Sequence, residues 1–210
     1  MCHSKKRLVL HIALFLYIIL LLFVSLRYNN RCRIQRQLSE KIVRFHVIAN
    51  SDSKRDQALK LKVRDAVGTM LQKKMLAADS KDTCEKLLWE ELSEIEQTAR
   101  NVLLEEGCTD SVAASVQKVD FPVKSYGAYT FPAGTYDALE LTIGAGAGHN
   151  WWCVMYPNMC FSGSVYQADS KEADAALQEV LDEEEYETVL RTGNYKVQFK
   201  YLTFLNQLCE

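Results

Sequence analysis

The sequence predicts an α+β domain: an antiparallel sheet with two amphipathic helices on one face, in the order β-α-α-β-β-β. A membrane-spanning or signal helix precedes it and a helical C-terminal extension follows. Three observations carry this reading. An alternating strand at Lys41–Asn50 leads into two helical periodicities in series. Beyond Gly107 the chain turns β-like, with short apolar runs between turn residues. Leu8–Leu26 is an apolar run interrupted only by His11 and Ser25. The expected organisation is therefore an anchor or signal at 1–36, an α+β domain at 37–165 and an extension at 166–210.

With 48% hydrophobic and 25% charged residues in 210, the chain is globular in composition. Its net charge of −2 gives no argument for a nucleic-acid partner. The basic residues are uneven: Lys5, Lys6, Arg7, Arg27, Arg31, Arg33 and Arg36 crowd the first 36 residues, which hold no acid. As a helix the apolar run is roughly 28 Å long, close to the ~30 Å hydrocarbon core. Lys5-Lys6-Arg7 forms a positive n-region, and no small-x-small cleavage site follows the run. Basic residues flank it on both sides, so the positive-inside rule does not choose an orientation. Arg31–Glu40 reads as a polar connector.

The first strand places Val43, Phe45 and Val47 towards a core and Arg44 and His46 on a more exposed side. Asn50-Ser-Asp-Ser53 is a turn, and Ser53 with Asp56 resembles a capping box. The helix behind it carries Leu59, Val63, Val67 and Leu71 at helical spacing. Asp82 with Glu85 signals a second cap, and Leu88, Leu92, Ile95, Ala99 and Val102 run to Gly107, placed to end that helix. Ser111–Phe121 is strand-like, Pro122–Pro132 turn-rich and aromatic, and Thr135–Ile143 a further strand. Lys171–Leu190 reads as an acidic helical stretch. The apolar tail Val197–Leu208 needs something to pack against.

The chemistry-bearing stretch is Gly144-Ala-Gly-Ala-Gly-His-Asn-Trp-Trp-Cys-Val-Met-Tyr-Pro-Asn-Met-Cys-Phe161. Three readings compete for it. As an active site, Cys153 would be the nucleophile and His149 or His46 the base, a Cys-dependent hydrolase at the envelope. As a metal site, His46, His149, Cys153 and Cys160 have suitable ligand types, but their spacing matches no zinc pattern. As a pinned hairpin, Cys153 and Cys160 form a disulfide across the Pro157-Asn158 turn, the alternative being two reduced core thiols. The chain has seven cysteines and no C-x-x-C. Neither cofactor, resident metal nor small-molecule substrate is expected. Trp151 and Trp152 are adjacent in a strand and must point to opposite faces, one of them available to a partner. Asn50, Ser51, Asp52 and Ser53 are the second candidate contact, against the plainer reading that they cap a helix.

Two of these segments resemble a known family. Arg44-Phe-His-Val-Ile-Ala-Asn-Ser-Asp-Ser-Lys-Arg-Asp-Gln-Ala-Leu-Lys-Leu-Lys-Val-Arg-Asp-Ala-Val67 is similar to the opening signature of the stage II sporulation protein R family. Asn150-Trp-Trp-Cys-Val-Met-Tyr-Pro-Asn-Met-Cys-Phe161 resembles its second signature. The resemblance implies a signalling protein of endospore-forming bacteria, exported from the forespore into the space between forespore and mother cell. Its implied partner is a membrane-embedded aspartic protease that processes the sigma-E precursor. No catalytic residue is carried over, because the family has none established, and the resemblance does not extend beyond Phe161.

Overall fold

The apolar run and the arginine-bearing turns behind it form one helix, α1 (Cys2–Lys41). The computed structural model describes residues 2–75, 77–159 and 171–192, and the chain divides into two compact units between Gln37 and Leu38. The expected connector at Arg31–Glu40 is therefore helical. Nothing there breaks a helix, and Arg33 donates at helical spacing to Asn30 Oδ1 (2.7 Å) and Gln37 Oε1 (3.0 Å). From Leu10 to Leu26 its large apolar side chains are exposed. The helix is long and apolar enough to cross a membrane.

The second unit begins with Leu38 and Ile42, both fully buried, and runs straight into β1 (Val43–Ile48). Ser53 caps α2 (Lys54–Met75), its Oγ accepting the Asp56 N–H at 3.1 Å. The next cap is Ser80 rather than Asp82. Ser80 is extended and its Oγ accepts the Thr83 N–H at 3.2 Å, so Asp82 falls in the first turn of α3 (Lys81–Glu105), where its charge complements the helix dipole. Gly107, at φ 64°, ends α3 as expected. The Cys108 N–H reaches the Leu103 carbonyl at 2.8 Å and the Gly107 N–H that of Leu104 at 3.0 Å, a Schellman closure.

The remaining strands are β2 (Val112–Phe121), β3 (Lys124–Tyr126), β4 (Tyr129–Phe131), β5 (Gly134–Ile143) and β6 (Asn150–Tyr156). β3 and β4 form a small hairpin inside the aromatic, turn-rich stretch. The main sheet has the order β2-β5-β1-β6. Two of its pairings are antiparallel, while β1 and β5 run parallel. The chain path accounts for this. Two helices in series return the chain antiparallel to β1, and one further reversal from β2 into β5 restores the direction of β1.

Val43, Phe45 and Val47 join Leu139, Leu141 and Ile143 of β5 in a core with Leu59, Val63 and Leu71 of α2 and Leu88, Ile95 and Leu103 of α3. Each such Leu or Phe stabilises by roughly 1.5–3 kcal/mol relative to exposure. Cys84 lies in the same core, and burial pushes its thiol pKa up to about 12.

The opposite face is not the exposed side that the alternation of β1 suggests. Arg44 is 0% and His46 1% exposed. Arg44 lies among aromatic rings, its guanidinium 4.4 Å from the Phe121 centroid and 5.2 Å from that of Tyr136. It donates to the Cys153 carbonyl at 2.9 Å and to Tyr126 Oη at 3.0 Å. Burial lowers its pKa, and the phenols of Tyr126 and Tyr136 oppose that. The β3–β4 hairpin and Phe121 supply this cover.

The acidic C-terminal stretch is two helices, α4 (Lys171–Val180) and α5 (Glu183–Thr192). Asp182 divides them with a reciprocal cap: its Oδ1 accepts the Glu185 N–H and its own N–H reaches Glu185 Oε2, both at 2.9 Å. Glu185 also accepts Lys41 Nζ at 2.5 Å. Asp174 accepts the hydroxyls of Tyr129 and Tyr186. The apolar tail Val197–Leu208, with Cys160 and Phe161, lies outside the described residues.

Candidate functional site

β5 and β6 sit on opposite sides of β1, so the loop joining them must pass over the end of β1. That loop is Gly144–His149, and what it crosses is the turn Ala49–Ser53. The crossing is stitched by backbone. The Ala147 N–H donates to the Asn50 carbonyl (3.1 Å) and the Gly148 N–H to that of Ala49 (2.9 Å). Asn50 Oδ1 accepts the Ala145 N–H at 2.8 Å. So close an approach explains two of the glycines. At Gly144, φ is 56° and a Cβ would stand 2.3 Å from Asn50 Oδ1. A Cβ on Gly148 would stand 2.3 Å from the Ser51 carbonyl oxygen.

The polar side chains of the lower turn are largely consumed there. Asn50 Nδ2 donates to Asp56 Oδ2 at 3.2 Å and Ser51 Oγ to the same oxygen at 2.5 Å. These bonds, that from Ser51 foremost, hold the Asp56 pKa below its ordinary value. Gln57 Nε2 donates to the Ser51 carbonyl at 3.0 Å. Capping and turning the chain thus account for Asn50, Ser51 and Ser53. Asp52 reaches upward instead: its Oδ1 accepts the His149 N–H at 2.6 Å and also contacts His149 Nδ1. The His149 imidazole is the main cause, and its backbone N–H the next, of a lowered Asp52 pKa. Both side chains remain exposed, Asp52 at 54% and His149 at 80%.

Beneath the crossing, Lys60 of α2 is 5% exposed and donates to the His149 carbonyl (2.8 Å) and to Gln57 Oε1 (2.6 Å). Burial lowers its pKa, partly offset by Asp52. This lysine ties the first turns of α2 to the start of β6. Sequence periodicity hides it, because Lys60 reads there as part of a solvated face.

Both tryptophans are half-buried and on opposite faces of the sheet. Trp151 packs edge-on against Phe45, centroids 5.4 Å apart, with the Arg64 guanidinium 5.1 Å from its ring. Trp152 stacks on His46 at 4.9 Å and meets Phe121 at 4.7 Å. His46 Nε2 is 3.1 Å from Glu140 Oε2, and burial lowers the imidazole pKa against the pull of that carboxylate.

Cys153 is 2% exposed and faces the helix layer in register with Phe45. Cys160, its expected disulfide partner, lies outside the described residues. Cys32, Cys84 and Cys108 are free. His149 is held by Asp52 on the exposed crossing and His46 lies on the other sheet face from Cys153, so these three candidate groups are dispersed. Among the described residues, no group of three His, Cys, Asp or Glu side chains is placed to hold a metal ion.

Comparison with known proteins matches residues 39–167 to the stage II sporulation protein R family. Stage II sporulation protein R of Bacillus subtilis (strain 168) is 35% identical over 141 residues, covering 65% of this chain. The match spans 63% of that relative's length. No solved structure matches the chain.

Proposed function

The chain belongs to the stage II sporulation protein R family, a family of sporulation signalling proteins, and from that premise we propose that it acts by binding rather than catalysis. In this reading it is exported from the forespore to the intermembrane space, remaining anchored where Leu8–Leu26 is retained. There it binds a membrane-embedded aspartic protease and switches on processing of the sigma-E precursor. The observation that carries the reading is the contrast between two residues of one motif. His149 is displayed at 80% exposure on a backbone-stitched crossing, while Cys153, the one candidate nucleophile, is 2% exposed and in register with Phe45. A sulfur so deeply buried is not presented to a substrate.

The proposed contact is the exposed crest of the crossing, centred on Asp52 and His149, with the cap Ser53 exposed beside them and Asn50 and Ser51 in support. Trp151 and Trp152 are its amphipathic neighbours on β6. A polar crest on a rigid scaffold suits recognition, since little ordering cost remains to be met on binding. Co-purification tests this. Full-length chain and protease, co-expressed and solubilised in mild detergent, should be recovered together, and Asp52→Arg with Ser53→Arg should lower recovery at least about tenfold. Unchanged recovery with that folded variant would exclude the crest.

A further inference from the structure

The first unit has a feature that the proposed function leaves unused. Four arginines, Arg27, Arg31, Arg33 and Arg36, follow directly on the apolar run, and the first acid in the chain is Glu40. The helix is unbroken from one segment to the other, so the position of each arginine on it is fixed. At 100° per residue, Arg31 lies about 40°, Arg36 about 180° and Arg33 about 240° round from Arg27. The cations therefore spread round the helix, with Arg27, Arg31 and Arg36 exposed and Arg33 half-buried, donating to Asn30 and Gln37. Arg27 marks the boundary, with its guanidinium 5.1 Å from the Phe23 ring of the apolar run. Tyr28, 68% exposed, adds an aromatic of the kind that settles at membrane interfaces.

We infer that these arginines form a collar that binds anionic phospholipid headgroups in the leaflet at the C-terminal end of the apolar run. The axial spacing suits this. At 1.5 Å per residue Arg27 and Arg31 are separated by about 6 Å, the depth of one headgroup layer. Arg33 and Arg36 extend it outward to about 14 Å from Arg27, still within a Debye length (~8 Å) of the charged surface. Guanidinium groups match phosphate in geometry and keep their charge at any working pH. The collar rests on the reading of α1 as a retained membrane helix. It adds a lipid preference that insertion alone does not require.

The test uses the full chain carrying Tyr28→Trp, reconstituted in vesicles of brominated phosphatidylglycerol or brominated phosphatidylcholine, or mixtures of each with unbrominated lipid. The signal of Trp89, Trp151 and Trp152 is measured on the parent chain and subtracted. The expected result is a relative association constant favouring phosphatidylglycerol at least about fivefold, the scale of one arginine at a charged surface. That preference should fall towards unity in R27Q/R31Q/R33Q/R36Q and in molar salt. Equal quenching by both lipids, or a preference that survives the glutamine variant, would overturn the collar. Quenching by neither would overturn the membrane-anchor reading itself, and the collar with it.

Discussion

Asp52 and His149, 97 residues apart, hold each other across the crossing of two loops: one carboxylate oxygen accepts the His149 N–H at 2.6 Å and contacts the imidazole Nδ1. Neither loop needs a long-range partner to turn. The contact therefore belongs to the crossing, which sets the first segment that resembles the family against the residues leading into the second.

The Asp52 carboxyl is held below its ordinary pKa in the folded chain, first by the His149 imidazole. A depressed folded-state pKa contributes stability that is present above the unfolded value, about 3.9, and is lost as pH falls through the folded value. Asp52→Asn should therefore be less stable than the parent at pH 6. The gap should close as pH falls below about 4. Urea midpoints at pH 6, 4 and 3 measure this. A gap that stays constant with pH would contradict the assignment.

Gly148→Ala should destabilise by about 1–3 kcal/mol through overpacking. Its Cβ would stand 2.3 Å from a backbone oxygen of Ser51, which cannot rotate away. Gly144→Ala meets the movable Asn50 side chain, but φ is 56° there, so strain remains if Asn50 swings aside. Denaturant unfolding of each variant in detergent is the check, and wild-type midpoints would show that the loops do not cross so closely.

Arg44→Ala should cost about 3–5 kcal/mol, because it opens a cavity among Phe121, Phe131 and Tyr136 and leaves the Cys153 carbonyl without its guanidinium donor. Arg44→Met, which fills the space without a buried charge, should cost less. The order of the two midpoints decides between packing and charge as the main role of this residue.

Glu185→Gln should loosen α5 without unfolding the sheet. The carboxylate is 1% exposed, accepts Lys41 Nζ at 2.5 Å and caps its own helix through the Asp182 N–H. Faster hydrogen exchange confined to Glu183–Thr192 is expected. Unchanged protection there would mean that α5 is held by its apolar contacts alone.

Local rules made much of the fold legible. The alternation of Val43, Phe45 and Val47, the Ser53 cap, the Gly107 stop and the helical spacing of Leu88, Ile95 and Ala99 all depend on neighbours within a few residues, and all recur in the structure. What escaped the sequence depends on distant chain. Arg44 and His46 look solvent-facing because their cover comes from Phe121 and the β3–β4 hairpin, more than seventy residues on. Asp79-Ser-Lys-Asp82 offers more than one residue able to cap, and only backbone conformation selects Ser80. Of the candidate contacts, the polar turn was visible as a turn. Its meeting with Gly144–His149 followed from β5 and β6 lying on opposite sides of β1, which no local pattern encodes.

The central claim is activation by binding. Its most direct test is co-expression of this chain with the protease and the sigma-E precursor in a non-sporulating host, read as the ratio of processed to unprocessed precursor. The account predicts processing that requires this chain, falls at least about tenfold with Asp52→Arg and Ser53→Arg, and survives a folded Cys153→Ser variant. No processing with the parent chain, or its complete loss in folded Cys153→Ser, would contradict it.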